Sequence, residues 1–251
     1  MSDAPAVLVL GGTGEARELA ARLVAERIPV ISSLAGRVGE PRLPVGAVRI
    51  GGFGGVPGLR TWLHDNAIRV VVDATHPFAS GISANAAAAT HDLALPLVRL
   101  CRAPWSPGDV DTWIRVPDIR SAASYLDDRQ ARVFLTTGRQ DVDAFAENTS
   151  AWFLIRVVDP PQTAMPMHHT VIRSRGPYRL SDEMALMREH GIDVLVTKNS
   201  GGDMTRAKLD AARTLGIEVV MVDRPSKPTT RAVEDVEAAV GLVRDLLAGQ
   251  P

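Results

Sequence analysis

Ala6-Val7-Leu8-Val9-Leu10 runs directly into Gly11-Gly12-Thr13-Gly14-Glu15-Ala16-Arg17, and this junction decides the reading of the chain. AVLVL is a continuous apolar run, the pattern of a strand buried on both faces. After the glycines, residues 15–26 place Ala16, Leu19, Ala20 and Leu23 on one face at the helical period. A strand that enters a helix through a glycine turn is a phosphate-binding arrangement. Glycine lets the backbone approach an anion, and the helix N-terminus supplies N–H donors and a positive dipole end. Gly12 and Gly14 match the first two glycines of G-x-G-x-x-G, while Arg17 stands at the third. The same turn without a ligand would be a tight strand-to-helix connection. Its place after an N-terminal buried strand favours a nucleotide, with Gly11, Gly12, Thr13, Gly14 and Glu15 as the candidate contacts.

Working outward, residues 28–33 read as a second strand. Sheets that bind NAD place Asp or Glu at that strand's end, about 20 residues past the glycines. Here the segment is Ser32-Ser33-Leu34-Ala35-Gly36-Arg37, with no acid before Glu40. A hydroxyl with a nearby arginine suits a 2′-phosphate, so Ser33 and Arg37 point to NADPH. Strand-like and helix-like segments then alternate to the end of the chain. Strands are expected at 48–50, 68–73, 95–101, 112–116, 132–136, 152–157, 170–173, 194–197 and 218–222. Helices are expected at 56–66, 81–92, 119–126, 141–147, 180–189, 207–215 and 233–247. This alternation predicts an α/β fold with mainly parallel sheets. About eleven strands exceed one comfortable sheet, which predicts two doubly wound lobes. The boundary is expected near 127–131, giving a cofactor lobe at 1–128 and a second lobe at 129–251.

Composition narrows the function. The chain has 251 residues, 45% hydrophobic and 23% charged, with a net charge of −1. Disorder is excluded, and no global basic field points to nucleic acid or an anionic membrane. No apolar run reaches the roughly 18–20 residues of a membrane span, and no signal peptide is evident. Cys101 is the sole cysteine, which excludes an internal disulfide and a cysteine-based metal cluster. A cytoplasmic setting is expected, with no resident metal. His168-His169 reads as a loop pair, and the four tryptophans as packing residues.

The remaining candidates sit where strands end. Asp73-Ala74-Thr75-His76-Pro77-Phe78-Ala79 follows a strand. Ligands in open α/β sheets lie outside the carboxyl ends of strands, so Thr75, His76 and the stiff Pro77 are candidates for the nicotinamide region. His76 can also move a proton near neutral pH. In the second half, Thr137 and Arg139, then Arg173 and Arg175, then Lys198, Asn199 and Ser200, then Arg224, occupy strand ends, as Arg102 does in the first half. Together they suggest a cationic rim for a polyanion. Pairing of these cations with nearby Asp and Glu is the plain alternative.

The ordered set LGGTGEAR (10–17), SLAGR (33–37), DATHPFA (73–79), Arg102-Ala103-Pro104-Trp105, LTTGRQ (135–140), RGPY (175–178) and VTKNSGG (196–202) resembles the precorrin-6A reductase family, from about Val7 to Arg224. The resemblance implies two Rossmann-like lobes around a cleft, and NADPH-dependent reduction of one double bond of the precorrin-6A macrocycle to precorrin-6B, in cobalamin biosynthesis. It implies a tetrapyrrole bearing many carboxylates, held by Arg102, Thr137, Arg139, Arg173, Arg175, Lys198, Asn199, Ser200 and Arg224. Other enzymes of the pathway are implied as neighbours. Two alternatives stand beside it: a reductase of the cobalt-loaded substrate in the oxygen-independent route, and a non-catalytic NADP(H)-sensing module. Gly14 stands where the family often has a bulkier residue, and Ala103 softens the Arg-Pro element.

Overall fold

In the computed structural model, which describes residues 6–36 and 42–249, the chain forms two compact units. The first comprises Met1–Ala103 with Ser226–Pro251; the second is Pro104–Pro225.

The first unit is built on six strands: β1 (Val7–Leu10), β2 (Val30–Leu34), β3 (Ala47–Ile50), β4 (Val70–Asp73), β5 (Leu97–Leu100) and β12 (Arg231–Val233). They lie in the order β3-β2-β1-β4-β5-β12, every pair parallel. Side chains alternate across β1, which explains its unbroken apolar run. Val7 and Val9 face Leu19 and Leu23 of α1 (Gly14–Ala25) and Val236, Ala239, Val240 and Val243 of α7 (Val236–Ala248). Leu8 and Leu10 face the opposite way, onto Leu59 and Leu63 of α2 (Gly55–Asp65) and Ala86 and Ala89 of α3 (Ser80–Asp92). Each fully buried valine or leucine contributes about 1.5–3 kcal/mol, so both helix layers are held chiefly by this burial.

The second unit repeats the plan. Its strands are β6 (Trp113–Val116), β7 (Arg132–Leu135), β8 (Trp152–Val157), β9 (His169–Arg173), β10 (Val194–Lys198) and β11 (Glu218–Val222). The order is β9-β8-β7-β10-β11-β6, again all parallel. On one face Phe134, Leu154, Leu195, Val219 and Met221 pack with Met187 of α5 (Leu180–Glu189) and Leu209, Ala211 and Ala212 of α6 (Ala207–Leu215). The remaining helix, α4 (Ile119–Tyr125), is capped by Asp118, whose carboxylate accepts from the Ser121 N–H.

The two-lobe α/β reading holds, but the division does not fall at 128/129. Trp113–Val116 pairs with β11, so β6 and α4 belong to the second unit. In return, Arg231–Val233 pairs with β5 and α7 packs in the first unit. The first sheet thus takes its sixth strand from beyond the run that supplies its other five, whereas the second draws all six from one contiguous run. Of β12, Val233 was expected to open the last helix and Arg231 and Ala232 were assigned to no element, because three residues show no strand period. Residues 141–147 form a 3-10 turn at Val142–Phe145 in place of an α-helix. His169 opens β9 instead of lying in a loop, with its ring Nδ1 2.6 Å from Pro166 O.

Candidate active site

In the first unit the strand order reverses between β1 and β4. Outside the carboxyl ends of that pair lies the usual ligand crevice of such a sheet. The loop after β1 opens with Gly11, whose N–H donates to Ser33 O at 2.9 Å. Gly12 follows at φ +115°, a conformation that favours glycine, and a Cβ there would meet nothing within 4 Å. Its backbone therefore borders open space. Thr13 caps α1: its Oγ1 accepts from Ala16 N at 3.1 Å and donates to Ala74 O at 2.8 Å. One hydroxyl thus starts the helix and fastens the β1 loop to the β4 loop. The first intrahelical bond runs from Arg17 N to Thr13 O, so Gly14 and Glu15 have N–H groups with no carbonyl inside the helix. These features fit a dinucleotide pyrophosphate. The Glu15 carboxylate has a different role from a cofactor contact: both its oxygens accept from Arg102 Nη1 at 2.9 Å. Arg102, expected among the substrate groups, is thereby placed in the first unit against α1.

At the next strand, Ser33 is buried and its hydroxyl accepts from Arg49 Nη1 at 2.9 Å. Arg49 was not among the sequence candidates. The signal that could have found it is register: in a β3-β2-β1 sheet, Ser33 and Arg49 are paired positions. Burial lowers the Arg49 guanidinium's pKa from its ordinary value, but an arginine remains a cation at neutral pH. Arg37 lies outside the described residues.

The β4 loop hangs from Asp73, whose side chain is 1% exposed. Its Oδ1 accepts from Thr75 N (3.2 Å) and Thr75 Oγ1 (2.6 Å), and its Oδ2 accepts from Ser83 Oγ (2.6 Å). Arg99 Nε stands 3.6 Å away and Lys227 Nζ 4.0 Å away. The Thr75 hydroxyl is therefore a brace of this loop, directed at Asp73. Pro77 is buried. His76 is partly exposed, and its Nδ1 accepts from Phe78 N at 3.3 Å. With Nδ1 accepting, a neutral ring carries its hydrogen on Nε2.

In the second unit the reversal falls between β7 and β10, where LTTGRQ and VTKNSGG meet. Thr136 Oγ1 and N both donate to Val196 O, binding one loop to the other strand. Thr137 is 6% exposed, and its buried hydroxyl has no hydrogen-bond partner among the described residues. Gly138 lies at φ +94° with open space beside it. Asn199 clamps the backbone of Trp105, accepting from its N–H at 2.8 Å and donating to its carbonyl at 3.0 Å. Arg224 donates to the carbonyls of Asn199 (2.8 Å) and Ser200 (3.1 Å). Lys198 pairs with Asp141, and Arg139 stands 3.9 Å from Asp159. Arg173 and Arg175 are exposed. Of the expected rim, then, Asn199 and Arg224 shape the β10 loop. Lys198 and Arg139 have carboxylate neighbours, as the plain alternative anticipated. Among the described residues, no group of three or more His, Cys, Asp or Glu is placed to hold a metal.

The family described as precorrin-6x reductase CbiJ/CobK matches residues 6–244, which span both units. The chain belongs to this family. A precorrin-6A reductase of Rhodococcus erythropolis is 55% identical over 242 residues, covering 96% of this chain and 98% of that one. A solved structure of CobK precorrin-6A reductase superposes with a TM-score of 0.90 at 40% identity, covering 96% of each chain. A cobalt-precorrin-6A reductase of Priestia megaterium is 27% identical, covering 87% of this chain and 90% of that one. Membership in the precorrin-6x reductase family bears out the expectation of a precorrin-6A reductase of cobalamin biosynthesis. The chain is an enzyme, an oxidoreductase, and a reductase of this kind works with a nicotinamide cofactor. Among the described residues, no helix is long and apolar enough to cross a membrane.

Proposed function

We propose that the chain reduces one double bond of precorrin-6A to precorrin-6B with NADPH, using the first unit for the cofactor and the second for the tetrapyrrole. The observation that carries the cofactor side is the crevice between β1 and β4. It combines an open glycine backbone at Gly12, uncommitted N–H groups at the α1 N-terminus, and a β2 that ends on Ser32, Ser33 and Leu34 with no carboxylate. Gly11 to Gly14 hold the pyrophosphate there, and Ser33 stands at the adenosine ribose. Thr13 and Asp73 keep the two loops in register.

Bound NADPH supplies a hydride, and the reduction is completed by one proton on the neighbouring atom of the double bond. His76 is the group we assign to that transfer, acting as the imidazolium, which gives up one proton and is left as the neutral ring. Thr75 and Pro77 fix the loop that carries it. Thr137, Arg139, Arg173, Arg175 and Lys198 face the substrate carboxylates, with the β10 loop shaped by Asn199, Ser200 and Arg224 supporting them. Positioning and local electrostatics are the main sources of acceleration in such a scheme. We place the reaction in the cytoplasm, with the tetrapyrrole as partner in preference to nucleic acid or a membrane. Enzymes that make or consume the macrocycle are the candidates for handover.

The test is anaerobic incubation with metal-free precorrin-6A and either NADPH or NADH. The expected result is a product heavier by one hydride and one proton, formed faster with NADPH. Turnover of the cobalt-loaded macrocycle alone, or tight NADPH binding with no turnover, would overturn the assignment.

A further inference from the structure

At the outer end of the first sheet, Arg49 is fixed by several neighbours at once. It projects from β3 beside Ser33 of β2, at paired register positions. Its Nη1 donates to Ser33 Oγ (2.9 Å) and Gly51 O (3.0 Å), and its Nη2 to Gly52 O (3.0 Å). All three acceptors are neutral. Among the described residues no carboxylate pairs with this guanidinium, so its charge is held in place without being cancelled. The same bonds leave Nε–H and the second N–H of Nη2 with no partner among the described residues. Those two groups form the side-on fork that arginine offers to phosphate oxygens.

Beneath the guanidinium lies an aromatic floor. Its carbon sits 3.7 Å from the Phe53 ring centroid and 5.6 Å from that of Trp62, and the two rings meet edge to face at 5.5 Å. The loop that carries Phe53 is held tightly. A Cβ on Gly58 of α2 would come within 1.8 Å of Phe53 O, so only glycine lets that carbonyl dock on the helix. A surface arginine serving solubility needs none of these supports. Fixing a long side chain also removes rotamer entropy, which favours a site organised before its ligand arrives.

Position identifies the ligand. Ser33 O accepts from Gly11 N, so Ser33 lies one strand outward from the glycine turn and Arg49 two. With a pyrophosphate at Gly12, the adenosine ribose falls at the end of β2, where its 2′ position is read. We infer that Arg49, stacked on Phe53 and anchored by Ser33, binds the 2′-phosphomonoester of the cofactor and sets the preference for NADPH over NADH. This rests on the dinucleotide reading of the crevice and deepens it. The charge it names lies on β3, beside the Ser33 expected at this position.

The experiment uses the full chain and two small probes, 2′,5′-ADP and 5′-AMP, with binding followed by calorimetry. The wild type is expected to bind 2′,5′-ADP more tightly. Arg49→Gln should weaken 2′,5′-ADP by about ten- to a hundredfold, the loss of a charge-assisted pair, and leave 5′-AMP unchanged. Arg49→Lys should restore part of the preference. A wild type with no preference would overturn the NADPH reading and the inference with it. A wild-type preference that survives in Arg49→Gln would overturn the inference alone and leave the 2′-phosphate to another residue. If Arg49→Gln does not fold, Phe53→Leu decides. A reduced preference at unchanged 5′-AMP affinity supports the site, and a full preference overturns it.

Discussion

Replacing Asp73 by Asn tests whether one buried carboxylate organises the crevice loop. The side chain is 1% exposed and accepts three hydrogen bonds, from Thr75 N, Thr75 Oγ1 and Ser83 Oγ. It also faces two largely buried cations, Arg99 (12% exposed) and Lys227 (9% exposed). Asparagine keeps the shape and one acceptor, but it turns an NH2 donor toward Ser83 or Thr75 and removes the negative charge. A hydrogen bond to a charged group is worth about 1.5–3 kcal/mol, and breaking a buried ion pair costs about 3–5 kcal/mol. These effects overlap, so their sum is not the expectation; a loss of about 3–5 kcal/mol is. Hydrogen exchange at the β4 and β5 amides reads the opening free energy of this unit directly. Adding Lys227→Met to Asp73→Asn removes one uncompensated cation. Coupling between neighbours of this kind is about 0.5–3 kcal/mol, so the double variant should regain part of the loss. A single-variant loss below about 1 kcal/mol, or a double variant no better than the single, would refute the view that Asp73 neutralises these cations.

Two further outcomes follow from the same geometry. Gly12→Val should abolish cofactor binding, seen by quenching of NADPH fluorescence. The fold should survive with a modest stability loss of about 1–2 kcal/mol, because the side chain meets open space but adopts a positive φ. Lys198→Ala and Arg139→Ala remove charges that neighbour Asp141 and Asp159. Each should change stability by no more than about 1 kcal/mol and raise the KM for the tetrapyrrole without altering NADPH affinity, whereas a lowered Tm with unchanged KM would make them purely structural.

Most elements were legible because each carries its own period. AVLVL and the Val194–Val196 run announce strands covered on both faces, and the faces of α1 and α7 announce helices that cover them. Asp73 reads as a turn residue in sequence, and it is one, through Thr75 and Ser83. What periodicity cannot carry is pairing. Trp113–Val116 looks the same whether it closes the sheet before it or the one after it. Its partner, β11, lies more than a hundred residues downstream. Arg231–Val233 is three residues long and takes its strand character from β5 alone. A boundary drawn from the restart of the β/α alternation therefore falls inside the second unit.

The candidate site shows the same division between local and non-local signals. The glycine turn, the Asp73 loop and the Thr137 loop were found because each motif is contiguous. Glu15 and Arg102 were assigned separately, to cofactor and to substrate, yet they are 87 positions apart in sequence and bonded to each other. Asn199 and Arg224 look like free polar groups until their bonds to the Trp105 backbone and the β10 loop are seen. Arg49 was passed over for the opposite reason. No motif surrounds it, and its significance appears only when β3 is laid beside β2 and its charge is found with neutral partners alone. A residue's type proposes its chemistry, but the partner that the sheet order assigns to it decides whether that chemistry remains available to a ligand.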